Sequence, residues 1–157
     1  MTDHKDILGT LLEQESRLQF TQFTNEDALQ LGLLIHTKAK SLGDLPVAID
    51  ISRNGHCLFH FAMGGTSPDN AEWIQRKSRT VLRFEHSSFY MGQLVASQSK
   101  TLEQKFMVSE KVYAPHGGAF PLIIKNVGVV GAIVVSGLPP QEDHKLVVDS
   151  IQEYLKI

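Results

Sequence analysis

Apolar positions recur along the chain with two periods, and the change from one to the other marks out the elements. Ile7, Leu8, Leu11, Leu12 and Leu18, with Glu15 among them, follow the spacing of one helix face. Phe20 to Phe23 reads as a short extended piece. Thr24-Asn25-Glu26-Asp27 has the form of a helix start: the Thr24 hydroxyl can cap unpaired backbone N–H groups, and the acids lie near the positive end of the helix dipole. The helix that follows places Ala28, Leu31, Ile35, Ala39 and Leu42 on one side, and Gly43 is suited to end it.

The period then drops to two. Val47, Ile49 and Ile51 alternate with Ala48, Asp50 and Ser52, and Asn54-Gly55 is a two-residue hairpin turn. The return strand, His56 to Phe61, is expected to put Cys57, Phe59 and Phe61 on one face, with His60 beside Ile49 across the hairpin. Gly64-Gly65-Thr66-Ser67-Pro68 leads out of the sheet into a long helix, with Ser67 as cap and Pro68 at the first helical position. That helix is predicted to reach Arg83 or His86, with a second helical piece through Tyr90 and Leu94. A second hairpin follows, Ala119 to Lys125 and Val129 to Val135 around Asn126-Val127-Gly128. Its second strand is apolar at nearly every position, as a central strand covered on both faces would be. Gly131 within it implies close packing, most simply of a helix on the sheet. Pro139-Pro140 precedes a last helix bearing Leu146, Val147, Ile151, Tyr154 and Leu155.

Tight hairpins join only antiparallel strands, so the pattern predicts an α/β (α+β) fold: a profilin-like or PAS-like antiparallel sheet flanked by helices. No repeat, low-complexity tract or linker divides residues 1–157, and one domain is expected over the whole span. With 15 basic and 17 acidic residues the net charge is −2, which argues against a general nucleic-acid binder. Cys57 is the only cysteine, which excludes an intrachain disulfide and a multi-cysteine zinc site; its apolar neighbours suggest a small buried hydrophobe. The start, Met1 to Asp6, lacks the basic-then-apolar pattern of a leader, and the longest apolar run, Val127 to Leu138, is shorter than the ~20 residues of a spanning helix. A cytoplasmic protein without membrane contact is the expectation.

The end of the chain carries a recognisable pattern: Gly117-Gly118-Ala119-Phe120-Pro121-Leu122, then Val129-Val130-Gly131-Ala132-Ile133-Val134-Val135-Ser136-Gly137, then the acidic helix start Gln141-Glu142-Asp143-His144. It resembles the haem-degrading (GlcG/HbpS-like) domain family, and the helix from Asp27 to Ala39 and the hairpin around Asp50 and Asn54-Gly55-His56 resemble that family's first half. The stretch Ala62 to Trp73 departs from the family's better-known members, and the segment Arg83 to Gly92 resembles a separate branch of the family found in microbes and fungi. The resemblance implies a small-ligand binding protein, haem as its ligand, and assembly into a homo-oligomer.

Histidine is a common haem-iron ligand. His60 on its strand and His116 beside two glycines are the candidates; His56 flanks a turn, and His36 lies at the edge of a helix's apolar face. His56 and His60, four strand residues and roughly 13 Å apart on one face, cannot chelate one ion together. Arg76, Arg79 and Arg83, with Lys77 adjacent, form a basic stripe at i, i+3 and i+7 that could hold haem propionates or another small anion, or simply face water. The Gly-rich start of the same helix favours anions but lacks the Gly-Lys-Ser/Thr ending of a phosphate loop. No nucleophile elbow or His-Glu-x-x-His motif is present, and Asp50 has no partner base evident from spacing, so enzyme status stays open. The rival reading is a homo-oligomeric module without small-molecule chemistry, docking a partner protein or its own copies through Thr66 to Gly92, with Trp73, Phe89 and Tyr90 exposed in the lone chain.

Overall fold

The computed structural model describes residues 4–157; Met1, Thr2 and Asp3, part of the chain start read above, lie outside them. The elements run α1 (His4–Arg17), α2 (Asn25–Ser41), β1 (Ala48–Arg53), β2 (His56–Ala62), α3 (Pro68–Phe84), α4 (Ser88–Ser97), α5 (Leu102–Phe106), β3 (Ala119–Ile124), β4 (Gly128–Ser136) and α6 (Pro140–Leu155). The four strands form one sheet in the order β2-β1-β4-β3, with every neighbouring pair antiparallel. This is the expected α+β arrangement, and β4 is central as its continuous apolar run required.

Alternation along the strands divides the interior. Ile49, Ile51, Ile133 and Val135 point to one side, where α2 and α6 supply Leu31, Ile35, Val147 and Ile151. Ala48, Ala132 and Val134 point to the other, where α3 supplies Ile74 and Val81. The first face takes large side chains and the second small ones, so α3 lies close to the sheet. Each fully buried leucine or isoleucine contributes roughly 1.5–3 kcal/mol, which makes the first face the main source of stability. Thr24 and Asp27 form the reciprocal cap of α2: the Asp27 amide donates to Thr24 Oγ1 at 3.1 Å, and the Thr24 amide to Asp27 Oδ2 at 2.7 Å.

Five expectations change in three dimensions. The ladder between β1 and β2 shifts at Ile51/Ser52, so that Ile51 faces Phe59 and Ser52 faces Cys57. This bulge leaves Leu58 extra. Cys57 therefore shares the face of Asp50 and His60, not that of Phe59 and Phe61, and His56 pairs with Arg53 on the face opposite His60. Cys57 is exposed rather than buried, because β2 is an edge strand. His60 stands across from Asp50, one residue from the expected Ile49. Gly131 is required by a strand and not by a helix: a Cβ there would lie 1.9 Å from the Ser52 carbonyl oxygen of β1.

The outer edge of β3 is closed at both ends. Phe20 donates to Ile123 O at 2.8 Å and accepts from the Lys125 amide at 2.9 Å, while Ser88 Oγ accepts from the Ala119 amide at 3.0 Å. The α1 helix is held against α4 by Glu15, whose carboxylate accepts from His86 Nδ1 at 2.7 Å and from the Ser87 amide at 3.1 Å. Nearby, His144 of α6 lies stacked on Phe89 with its Nε2 at 2.8 Å from Gln14 Oε1, and burial lowers its pKa to about 4.

That depression makes folding acid-sensitive. Between pH 6.5 and about 4 the unfolded chain binds a proton that folded His144 refuses, so stability falls as the pH drops through this window. His86 has the opposite shift, raised by its bond to Glu15, so its contribution is complete below pH 6.5 and declines only above it. Urea denaturation should therefore show wild-type stability decreasing from pH 7 to pH 4 by up to roughly 3 kcal/mol from His144 alone. His144→Phe should flatten that slope, and an unchanged slope would remove His144 as its source.

Candidate functional site

Lys77 occupies the inward stripe of α3, between Ile74 and Val81, where an apolar residue would be expected. It reaches past the sheet to the end of β4. There its Nζ donates to Val135 O at 3.1 Å and to Asp143 Oδ2 at 3.1 Å, with both side chains almost wholly buried, 5% and 2% exposed. Asp143 stands in the first turn of α6. Its carboxylate also accepts from the Leu138 amide at 3.0 Å and the Gly137 amide at 3.3 Å. Burial is the largest influence on both groups: it lowers the Lys77 pKa and raises that of Asp143, while their mutual attraction opposes it.

The loop leading into β3 passes directly over this pair. A Cβ on Gly118 would lie 2.6 Å from Lys77 Nζ and 2.4 Å from Val135 O, and one on Gly117 would lie 2.0 Å from Pro140 O. Gly118 also has φ +135°, a conformation that side chains rarely adopt. The two glycines thus let the loop lie flat on the ion pair, and they set His116 at its border. The His116 ring meets Trp73 edge to face, with centroids 5.4 Å apart, and the Arg76 guanidinium lies 4.1 Å from the Trp73 ring centroid. Partial burial, then Lys77 and Arg76, lower the His116 pKa. Its imidazole is consequently neutral at neutral pH, with a lone pair available.

Trp73 and His116 border two clefts. The smaller, about 260 Å³, lies between α3, the end of β4 and the start of α6, and includes Asn70, Lys77, Ser136 and Asp143 in its lining. The larger, about 450 Å³, has an apolar wall including Val95, Leu102 and Pro115, with Arg76 and Lys100 as its cations and Glu110 as its carboxylate.

The structure thus joins two of the residues singled out from sequence, His116 and Arg76, through Trp73. It does not bring the others to them. His60 pairs with Asp50 through Nδ1 at 2.8 Å and borders a separate hollow at the start of α3. Arg79 is exposed and bonds Gln75 at 3.4 Å, and Arg83 bonds the Tyr113 hydroxyl at 3.3 Å near the far end of α3. Seventeen residues make that helix about 25 Å long, so the stripe spans more than one site. Asp143 was noted only as part of a helix start, and Lys77 only as a neighbour of the stripe. The available signal was a lysine three residues after Ile74 and four before Val81, on the apolar side of a helix. Among the described residues, no group of three or more His, Cys, Asp or Glu could hold a metal ion.

A family model described as haem degrading protein HbpS-like matches residues 23–152. The chain belongs to the HbpS-like family. A UPF0303 protein of Edwardsiella ictaluri is 48% identical to it over 153 residues, covering 98% of this chain and 97% of that one. A UPF0303 protein of Streptomyces coelicolor is 46% identical over 148 residues, covering 94% and 93%. The crystal structure of the Ybr137w protein superposes with a TM-score of 0.88 at 43% identity, covering 95% of this chain and 87% of that one. A PduOC:heme complex shares the fold, with a TM-score of 0.68 at 18% identity, covering 82% and 92%. No helix among the described residues is long and apolar enough to cross a membrane.

The buried pair generates a stability prediction. Lys77→Met leaves the Asp143 carboxylate without its cation and should destabilise the protein by about 3–5 kcal/mol in chemical denaturation. Replacing both partners, Lys77→Met with Asp143→Leu, should recover part of that loss, because neither charge then remains buried. A loss below about 1 kcal/mol in the single variant would show the pair to be solvated.

Proposed function

We propose that this protein binds a small amphipathic ligand in the larger cleft beside Trp73 and His116, and that haem is the ligand. The observation that carries the reading is the conjunction at one cleft of an imidazole, an apolar wall and two cations against a single carboxylate, Glu110. The cleft's volume of about 450 Å³ falls within the ~300–1,000 Å³ of ordinary ligand sites, whereas the smaller cleft, about 260 Å³, falls below it. Family membership and the haem-bound PduOC neighbour support the choice of haem over other planar anions.

The residues present fit that group. His116 would hold the iron through its free lone pair; Arg76 and Lys100 would hold the propionates through charge-assisted hydrogen bonds. Trp73 orients both His116 and Arg76, so one indole couples the iron side of the site to the carboxylate side. When bound, haem supplies a redox-active iron; the protein supplies position, charge and exclusion of water. His60 is the weaker candidate, because no arginine or lysine lines the hollow that it borders. It also makes the Nδ1 contact to a carboxylate that often orients a ligating histidine, so it belongs in the same experiment.

The rival reading, an interaction module built on exposed aromatics, has less support, because each of its aromatics is part-buried by contacts within the chain. Phe89 stacks on His144, Tyr90 packs on His86, and Trp73 is occupied by His116 and Arg76. Self-assembly is an independent part of our proposal, and the open outer edge of β2 with exposed Phe61 supports it.

A haem titration followed in the Soret region tests the site. Wild type and His60→Ala should show a saturable shift at one haem per chain, and His116→Ala should lose it. Arg76→Ala should weaken binding by roughly tenfold, the equivalent of one charge-assisted contact. A response that neither histidine variant alters would overturn the haem reading.

A further inference from the structure

Lys77 is the one described lysine buried in the interior, and it lines a cleft. An ammonium has three hydrogens. Two find Asp143 and Val135 O; among the described residues no acceptor meets the third, and the side chain borders the cleft. A lysine needed only as a structural cation would have all three hydrogens taken up by protein acceptors. Gly118 packs against Nζ on one side, so closely that a methyl group at that position would come within 2.6 Å of the nitrogen. Asn70 Nδ2 and the Ser136 hydroxyl, 3.3 Å apart, stand in the same lining as hydrogen-bonding groups.

We infer that the smaller cleft is a site for a small aldehyde or ketone, which Lys77 holds as an imine. At about 260 Å³ the cleft admits a molecule of a few carbon atoms. The ammonium first passes a proton to the Asp143 carboxylate, with which it is already hydrogen-bonded. The freed Nζ electron pair then forms a bond to the carbonyl carbon, and the carbonyl π pair moves onto oxygen, which takes back the proton held by Asp143 to give a protonated carbinolamine. The second nitrogen proton passes to the hydroxyl group, which departs as water, and the nitrogen lone pair closes a protonated C=N bond whose charge the Asp143 carboxylate balances. One water is released and nothing is oxidised or reduced. Asn70 and Ser136 are placed to hydrogen-bond the carbonyl oxygen as it gains charge. Burial of Lys77, which favours its neutral amine, acts in the same direction as this geometry.

The test is reductive trapping. The full chain is incubated with propanal or, separately, with pyruvate in the presence of sodium cyanoborohydride, and adducts are located by peptide mass mapping. Lys77 should be labelled roughly tenfold or more faster than the exposed Lys145, as expected of an activated amine. Gly118→Ala, whose methyl group would crowd Nζ and Val135 O, should reduce labelling of Lys77 by a similar factor, and its thermal melt reports whether the fold is intact. Lys77→Arg should remove the rapid adduct. Should either variant fail to fold, the wild-type map decides. Labels spread over surface lysines, with Lys77 unmodified or no faster than Lys145, would overturn the inference. Haem titration and trapping read different clefts, so each can fail without the other.

Discussion

Two opposite charges withdrawn from water, Lys77 and Asp143, meet where α3, the end of β4 and the start of α6 converge. Desolvating either ion alone would be costly, and their attraction in a low-dielectric interior offsets that only while every neighbouring group is satisfied. The structure meets this condition with backbone: Val135 O receives the lysine, and the Gly137 and Leu138 amides serve the carboxylate. The pair consequently dictates what surrounds it. The turn after β4 must present its amides, the loop before β3 must be glycine at position 118, and α3 must lie close enough to the sheet for a lysine to reach past it. Close approach of α3 is in turn permitted by Ala48, Ala119 and Ala132, the small residues on that face of the sheet.

The other polar contacts inside the fold obey the same rule with smaller stakes. Glu15 is buried on α1 and serves two donors on the α3–α4 connection. His144 is buried neutral, with one ring nitrogen near Gln14 and the other, Nδ1, without a partner. These contacts lie on the side where α1, α4 and α6 meet, away from the open β2 edge. Their effect is to hold the outer helices in one orientation, which apolar packing alone specifies less sharply.

The candidate site is assembled on this frame. Trp73, Arg76 and Lys77 come from a single turn of α3, yet they serve different clefts because successive helical residues point about 100° apart. His116 is placed between those clefts by the glycines that follow it. The aromatic residue joins the two halves: Trp73 contacts both the imidazole and the guanidinium. Ligand binding at the larger cleft and carbonyl capture at the smaller one would therefore be mechanically adjacent while chemically distinct.

Much of this was legible in the sequence, because local rules act over a few residues. Period, caps and turn residues determine the helices around Thr24 and Pro68 and the hairpin at Asn54-Gly55, and the unbroken apolar run of β4 determines its central place. The short helix Leu102–Phe106 was not legible, being one and a half turns with little periodicity. The bulge at Leu58 was also hidden, and with it the faces of Cys57, His56 and His60, since a single extra residue inverts every face beyond it. For the site, sequence identified His116 and Arg76 as residues of the right chemistry. That they share Trp73, while His60 and Arg83 stand elsewhere, is a matter of long-range placement. The ion pair is the clearest case: Lys77 and Asp143 are 66 positions apart. Composition and spacing by themselves determined an antiparallel α+β fold and its candidate ligands. Which charge is buried against which, and what cleft that leaves open, only tertiary packing decided, because desolvation acts on neighbours in space and not along the chain.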